Sequence, residues 1–317
     1  MRRPLAALVA GMLASAAIAS EFAFALIGDV PYNRFERRWF ADYLAKVAAD
    51  DVAFVLHVGD IKSGGEPCSD AVFDDRLALF DASPLPFVLV PGDNDWSDCN
   101  RLAAGRYDPL ERLDALRARF FPAGSSLGRQ RMAVASQSDS MVGSPYRENR
   151  MWHHGAASFV TLNVPGPSNR RGRGGRAPAE FVARNRANLA WLARGFAEAA
   201  ARGSRVMVVA MQANPWIEDF VDGDPHPGYA ELLTALRDHT EAFDGEVLLL
   251  HGDQHLPIID QPMTGRDGHP LARFTRVQCF GSPLMGWMRI AVRDSGPAAL
   301  AIDAHGYSPS PAGAVQP

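Results

Sequence analysis

Short apolar runs recur along the chain, separated by stretches whose apolar residues return every three to four positions. Residues 22–29 (FAFALIGD), 53–60 (AFVLHVGD) and 86–93 (PFVLVPGD) are apolar runs that each end in Gly-Asp. Helical spacing follows each of them, over 33–50, 69–81 and 109–121. This alternation predicts a layered α/β domain whose first sheet is largely parallel. Residues 122–149, rich in Ser, Gly and Arg, read as an excursion. A strand is expected over 157–164, a loop over 165–176 and a helix over 178–201. Strands over 205–212 and 245–252 then flank a helix over 229–243. The tail changes character. Strands over 256–260, 274–280, 287–293 and 298–303 follow one another without helices, which predicts a second, antiparallel sheet packed on the first. No repeat or linker divides the chain, so a single domain is expected over 20–317.

Composition narrows the class. The 317 residues are 47% hydrophobic and 21% charged, enough apolar material for a large core and too much for a disordered chain. A formal charge of −4 argues against a dedicated nucleic-acid binder. Arg2-Arg3, the uncharged apolar stretch 4–19 and Ala17-Ile18-Ala19 fit a cleavable signal peptide over 1–19. The stretch is shorter than the roughly 20 residues a span needs. No later run reaches that length, so the expected product is a periplasmic or secreted protein with no membrane span. Export places Cys68 and Cys99 in an oxidising compartment, in loops just beyond the second and third Gly-Asp motifs. A Cys68–Cys99 disulfide is expected, with Cys279 a buried free thiol.

The chemistry lies at strand ends. In open α/β sheets ligands bind beyond the carboxyl ends of the strands, and glycine lets the backbone approach them. Asp29, Asp60 and Asp93 would converge on one rim and repel one another unless a cation neutralised them. Gln212-Ala213-Asn214-Pro215 and His251-Gly252-Asp253-Gln254-His255 end later strands on the same rim. Lys62, Asn163 and Asn214 end or follow strands there and are candidates to contact a phosphoryl oxygen. Arg170, Arg171, Arg173 and Arg176 read either as a solvated Gly-rich loop or as a phosphate-attracting patch, with Arg171 the candidate contact.

These ordered motifs resemble the calcineurin-like metallophosphoesterase superfamily over about residues 22–255. The resemblance implies a four-layer α/β/β/α sandwich of two mixed sheets flanked by helices, and two divalent cations sharing a hydroxide that attacks a small-molecule phosphate ester. The family's Asp-x-His is met by Asp29-Val30-Pro31, its Gly-Asp by Gly59-Asp60, and its Gly-Asn-His-Asp/Glu by Gly92-Asp93-Asn94-Asp95. Gln212 stands where the family has a histidine, and Gly252-Asp253-Gln254-His255 where it has Gly-His-x-His. The resemblance therefore implies a first cation position of Asp29, Asp60 and His255, and a second of Asp60, Asp93, Gln212 and Asp253. Oxygen ligands in place of imidazoles favour Mn²⁺ or Mg²⁺ over Zn²⁺. Asn94 and Asp95 fall on the catalytic face. Asn94 replaces the family's proton donor, and His154, expected in a loop with His153, is the candidate replacement. Tyr32 resembles a ligand tyrosine of the purple acid phosphatase branch, but out of register. His57 is expected to be a core residue, and His251 a ligand only if its turn is irregular. The rival reading is a decayed metallophosphoesterase fold acting as a periplasmic binding or structural protein.

Overall fold

The computed structural model describes residues 21–172 and 174–310. The expected signal peptide and Arg173 lie outside the described residues. The chain runs β1 (Glu21–Ile27), α1 (Arg34–Ala48), β2 (Val55–His57), α2 (Asp70–Asp81), β3 (Phe87–Leu89) and α3 (Pro109–Phe120). It continues through β4 (Ala135–Ser136), α4 (Gln137–Ser140), β5 (Arg150–His154), β6 (Ala157–Thr161), α5 (Ala179–Arg202) and β7 (Val206–Ala210). Helices α6 (Ile217–Val221) and α7 (Ala230–Ala242) precede β8 (Glu246–His251), β9 (Ile258–Asp260), β10 (Phe274–Gln278), β11 (Gly286–Arg293) and β12 (Leu300–Gly306).

Two mixed sheets result, ordered β12-β11-β1-β2-β3 and β4-β5-β6-β7-β8-β10-β9. The parallel β1-β2-β3 core matches the sequence expectation. The tail does not form a sheet of its own. β11 pairs antiparallel with β1 and carries β12, whereas β10 pairs parallel with β8 and carries β9. Four late strands thus complete the edges of both sheets. The supposed loop at His153-His154 is the end of β5, which forms a hairpin with β6.

The period-two alternation along the strands sets the layers. Along β1, Ala25 and Ile27 face one way, into a core with Phe40, Tyr43, Phe73 and Phe80 of α1 and α2. Phe24 and Leu26 face the other way and meet Phe159, Val208 and Leu248 of the second sheet. Val160, Met207 and Leu249 turn outward from that sheet onto Trp191, Leu192 and Leu233 of α5 and α7. Three cores separate four layers, so the strands of both sheets are apolar on both faces. Burial of each such side chain contributes about 1.5–3 kcal/mol.

The helices begin where their caps dictate. Asn33 accepts the Phe35 and Glu36 N–H groups, Ser69 accepts Val72 N–H, and Asp108 accepts Leu110 and Glu111 N–H just before Pro109. Gly203, in the left-handed region at φ 66°, closes α5. Among the described residues no helix is long and apolar enough to cross a membrane.

Candidate metal centre

Asp29, Asp60 and Asp93 stand just past the carboxyl ends of β1, β2 and β3, and Gln212 and Asp253 just past β7 and β8. The two sheets face each other with these ends on one rim. Asp29, Asp60 and Gln212 are buried, and Asp93 is nearly so. Four residues of the rim carry a left-handed backbone without being glycine: Asp29 (φ 54°), Asp60 (58°), Asp253 (77°) and His255 (63°). That conformation costs of order 1–3 kcal/mol per residue and persists where the surroundings impose it, typically at functional sites. Glycines let the neighbouring backbone press against these carboxylates. A Cβ at Gly92 would lie 2.0 Å from Asp60 Oδ1, and one at Gly252 2.3 Å from Asp29 Oδ2.

Hydrogen bonds then fix each carboxylate. Asp60 Oδ1 accepts Asn94 N–H (3.0 Å), and its Oδ2 accepts the Tyr32 hydroxyl (2.7 Å) and the Asn94 amide (2.7 Å). Gln212 Nε2 donates to Asp93 Oδ1 (2.8 Å) and approaches Asp253 Oδ1 (3.4 Å). Asp253 Oδ2 faces Asn214 N–H (3.3 Å), and Asp253 N–H faces Asp29 Oδ2 (3.2 Å). His255 Nδ1 donates to the Ser282 carbonyl (2.7 Å), which leaves Nε2 toward Asp29 Oδ1 at 3.5 Å. A backbone carbonyl behind one ring nitrogen is how metal-binding histidines are commonly oriented.

The electrostatics follow from crowding and burial. Burial first, then the Asp93, Asp95 and Asp29 charges, push the Asp60 carboxyl far above the ordinary range. Burial raises Asp93 to about 7 and Asp253 to about 6. Lys62, wholly buried, donates to the Ser63 carbonyl (3.1 Å), and burial lowers its pKa. The Asp29 interaction raises His255.

A divalent cation fits this donor set at the first position. Asp29, Asp60 and His255 present two carboxylates and a correctly oriented imidazole on strained backbone. At the second position the Asp60, Asp93 and Asp253 carboxylates fit by chemistry, but the Gln212 carbonyl oxygen is taken by Gly166 N–H (2.6 Å). Its amide nitrogen faces the carboxylates, so Gln212 acts here as a bridge between Asp93 and Asp253, not as the oxygen ligand expected. Among the described residues no three His, Cys, Asp or Glu side chains close on a common point by themselves.

Several expected roles need correction. His154 pairs with Ala157 at the start of β6, the end of the sheet opposite the rim, and its ring packs 4.5 Å from Phe22. It cannot serve as proton donor. Asp95 is wholly buried and spends both oxygens on the backbone N–H groups of Asp60, Ile61 and Gly92. It shapes the two loops and does not face a substrate. Asn163 turns into a buried polar network, donating to Glu148 (3.0 Å) while its carbonyl accepts Arg184. The Arg171 guanidinium donates to the neighbouring Gly172 carbonyl and its backbone N–H to the Ser168 carbonyl, away from the rim carboxylates. Asn214 stays on the rim through its contact with Asp253. His57 is buried in the first sheet's core, with burial lowering it to about 4. His251 is equally buried and lowered to about 4.

Cys68 and Cys99 form a disulfide, and both sulfurs approach the Asn94 carbonyl (3.5 and 3.8 Å). Cys279 is the buried free thiol, its Sγ 3.6 Å from Asp29 Oδ2. Sequence reasoning missed this contact, and also the role of Glu36. Glu36 accepts Tyr32 N–H and the Ser282 hydroxyl, both at 2.6 Å, and so ties the Asp29 loop to the loop behind His255. The signal available was a glutamate three residues beyond the helix cap Asn33, a capping-box spacing.

The raised carboxyls predict a pH dependence for the cation-free protein. A group raised in the folded state stabilises fully below its unfolded value and loses that contribution as pH rises through its folded value. His57 and His251, lowered to about 4, do the opposite, but their gain is complete once pH exceeds the unfolded value of about 6.5. Asp93 loses its contribution between the unfolded carboxyl value of about 3.9 and its folded value of about 7, and the difference from Asp93→Asn isolates that loss from the histidines. In EDTA, the urea-unfolding stability of the wild type relative to Asp93→Asn should fall by about 1–2 kcal/mol between pH 5 and 7.5. A flat difference would show the Asp93 carboxyl already ionised without a cation.

No family model and no curated protein matches the chain. Among solved structures it is similar to a dimetal phosphatase from Danio rerio, at 15% identity over 90% of this chain and 99% of that one, TM-score 0.49. It is also similar to a purple acid phosphatase from yellow lupin, at 12% identity over 86% and 50%, TM-score 0.48. An anchor of the inner membrane complex of Plasmodium gives 11% identity over 91% and 89%, TM-score 0.46. The four-layer sandwich of two mixed sheets is the architecture that the sequence resemblance implies.

Proposed function

We propose that the chain is an exported, divalent-cation-dependent phosphoester hydrolase acting on a small organic phosphate. The observation that carries this is the convergence of Asp29, Asp60, Asp93 and Asp253 from four strand ends, with Asp29, Asp60, Asp253 and His255 all in left-handed backbone. A purely structural rim would gain by relaxing that strain. When bound, the cations would supply Lewis-acid activation of a nucleophilic water and of the phosphoryl group. Asp29, Asp60 and His255 would hold the first, and Asp60, Asp93 and Asp253 the second. Asn94 orients Asp60 through two contacts but cannot deliver a proton, so esters of weakly basic leaving groups should react best. The Cys68–Cys99 bond supports an oxidising compartment, in keeping with the expected leader.

One observation favours the rival reading. Asp60 is already satisfied by three chain donors, and Gln212 spans Asp93 and Asp253, so the rim coheres without an ion. Elemental analysis of the mature chain, alongside a Mn²⁺-supplemented screen of aryl phosphate mono- and diesters, separates the two. Two ions per chain with turnover support the hydrolase; no bound ion and no turnover leave the binding or structural protein.

The donor set also predicts metal preference. With carboxylates from Asp60, Asp93 and Asp253 as its donors, the proposed second position is all oxygen. Mn²⁺ or Mg²⁺ should raise the melting temperature and support activity more than Zn²⁺ at equal free concentration, against the usual affinity order. Tight Zn²⁺ binding without a response to Mn²⁺ or Mg²⁺ would mean that these oxygens are not the ligands.

A further inference from the structure

Residues 206–215, from β7 through the turn that carries Gln212 and Asn214, are buried, and so is Ile217 at the start of α6. Trp216 between them is 41% exposed. Its backbone turns it out. With φ 55° and ψ 61° it lies in the left-handed region, where a bulky side chain persists only if the surroundings impose it. Here they do. Asn214 Oδ1 accepts Trp216 N–H (3.1 Å), Ala213 N–H donates to the Val164 carbonyl (3.0 Å), and Ala213 and Ile217 pack into the core under α5 and α7. Glu218, on the far side, pairs with Arg276 of β10 (2.6 Å). Among the described residues no other aromatic ring packs on the indole. An indole gains most from being covered, so a turn that holds one out, unstacked and in a fixed place, presents it to something outside the chain.

The same turn ties Trp216 to the rim. Asn214 N–H faces Asp253 Oδ2 (3.3 Å), and Gln212, four residues before Trp216, spans Asp93 and Asp253. Two more exposed apolar side chains leave the rim beside His255. Leu256 follows it directly, and Leu284 lies two residues past Ser282, whose carbonyl accepts His255 Nδ1. A charged centre is thus bordered by apolar side chains. We propose that Trp216 is the stacking platform for the organic group of the substrate, which is then a phosphate ester of a planar aromatic alcohol. The proposal rests on the hydrolase reading above and adds to it the class of ester. In its hydrolysis water adds to phosphorus, the bond from phosphorus to the aryl oxygen breaks with its electron pair on that oxygen, and the proton of the water goes to solvent. A phenolate departs without a proton, which suits a centre whose Asn94 cannot deliver one.

The test is calorimetric titration of the Mn²⁺-loaded mature protein with phenylphosphonate and with methylphosphonate, neither of which has an ester bond to hydrolyse. Wild type should bind phenylphosphonate about tenfold more tightly than methylphosphonate. Trp216→Gly, in which the left-handed backbone carries no penalty, should lose that preference. Trp216→Phe should keep most of it, and Trp216→Leu, apolar but without a flat ring, should keep little. A tryptophan needed only for the shape of the turn would weaken both phosphonates alike when replaced. Equal binding of the two phosphonates by wild type, or an undiminished preference in Trp216→Gly, overturns the platform alone. A wild type that binds neither Mn²⁺ nor either phosphonate overturns this proposal together with the reading it rests on. Were Trp216→Gly not to fold, the contrast between Trp216→Phe and Trp216→Leu would decide the same point.

Discussion

Asp60→Asn should abolish the response to Mn²⁺ and lower phosphoester hydrolysis by about a thousandfold while the fold survives. In the proposed centre Asp60 is the carboxylate common to both cation positions, so the substitution would remove an anionic donor from each. Lewis-acid stabilisation at such a centre is worth several kcal/mol, which sets the size of the kinetic loss. The fold should tolerate the change because the cation-free rim already holds this carboxyl against its preference to ionise, through burial and the Asp93, Asp95 and Asp29 charges. An amide removes that repulsion, although its nitrogen must face donors from Tyr32 and Asn94. The two effects oppose each other, so metal-free stability should change by about 1 kcal/mol or less. Wild type should gain melting temperature with Mn²⁺ in proportion to saturation, and Asp60→Asn should not. An undiminished shift in the variant would place Asp60 outside the ligand set.

The parts of this molecule that were legible in the sequence are those set by local pattern. The three Gly-Asp strand ends stood out because an apolar strand, a turn and a carboxylate are contiguous in the chain. The helix starts near Asn33, Ser69 and Pro109 were legible because helical spacing is set by residues three and four apart. Pairing partners of the tail were not. Nothing local tells β10 to join β8 and β11 to join β1, since that choice depends on which sheet edge is free once the rest has folded. His154 was misplaced for a related reason: β5 runs antiparallel to β6, and the direction of a strand decides which end of the sheet its last residue reaches. Asn163 follows a strand at the correct end, but it is drawn into the network of Glu148, Arg184 and Asn188 behind the sheet. Tyr32 was set aside on motif register. Register counts residues, whereas the left-handed turn at Asp29 redirects the chain and returns the side chain to the carboxylates.

Removing the disulfide should cost more stability than any single hydrogen bond of the rim. Cys68 follows the second Gly-Asp motif and Cys99 the third, and their sequence separation is 31. Closing a loop of that size restricts the unfolded chain by about 3–4 kcal/mol in the chain-entropy model. The bond also has a local consequence. Both sulfurs pack against the Asn94 carbonyl, and Asn94 holds Asp60 through its backbone N–H and its amide. Loss of the bond should therefore loosen the Asp60 contacts as well as the global fold. For Cys68→Ala/Cys99→Ala the urea midpoint should fall by the equivalent of about 3 kcal/mol, and the Mn²⁺-induced melting shift should shrink. The wild type treated with a thiol reductant should approach the variant. Equal stability of the variant and the oxidised wild type would show that the bond constrains neither the unfolded chain nor the loop that carries Asn94.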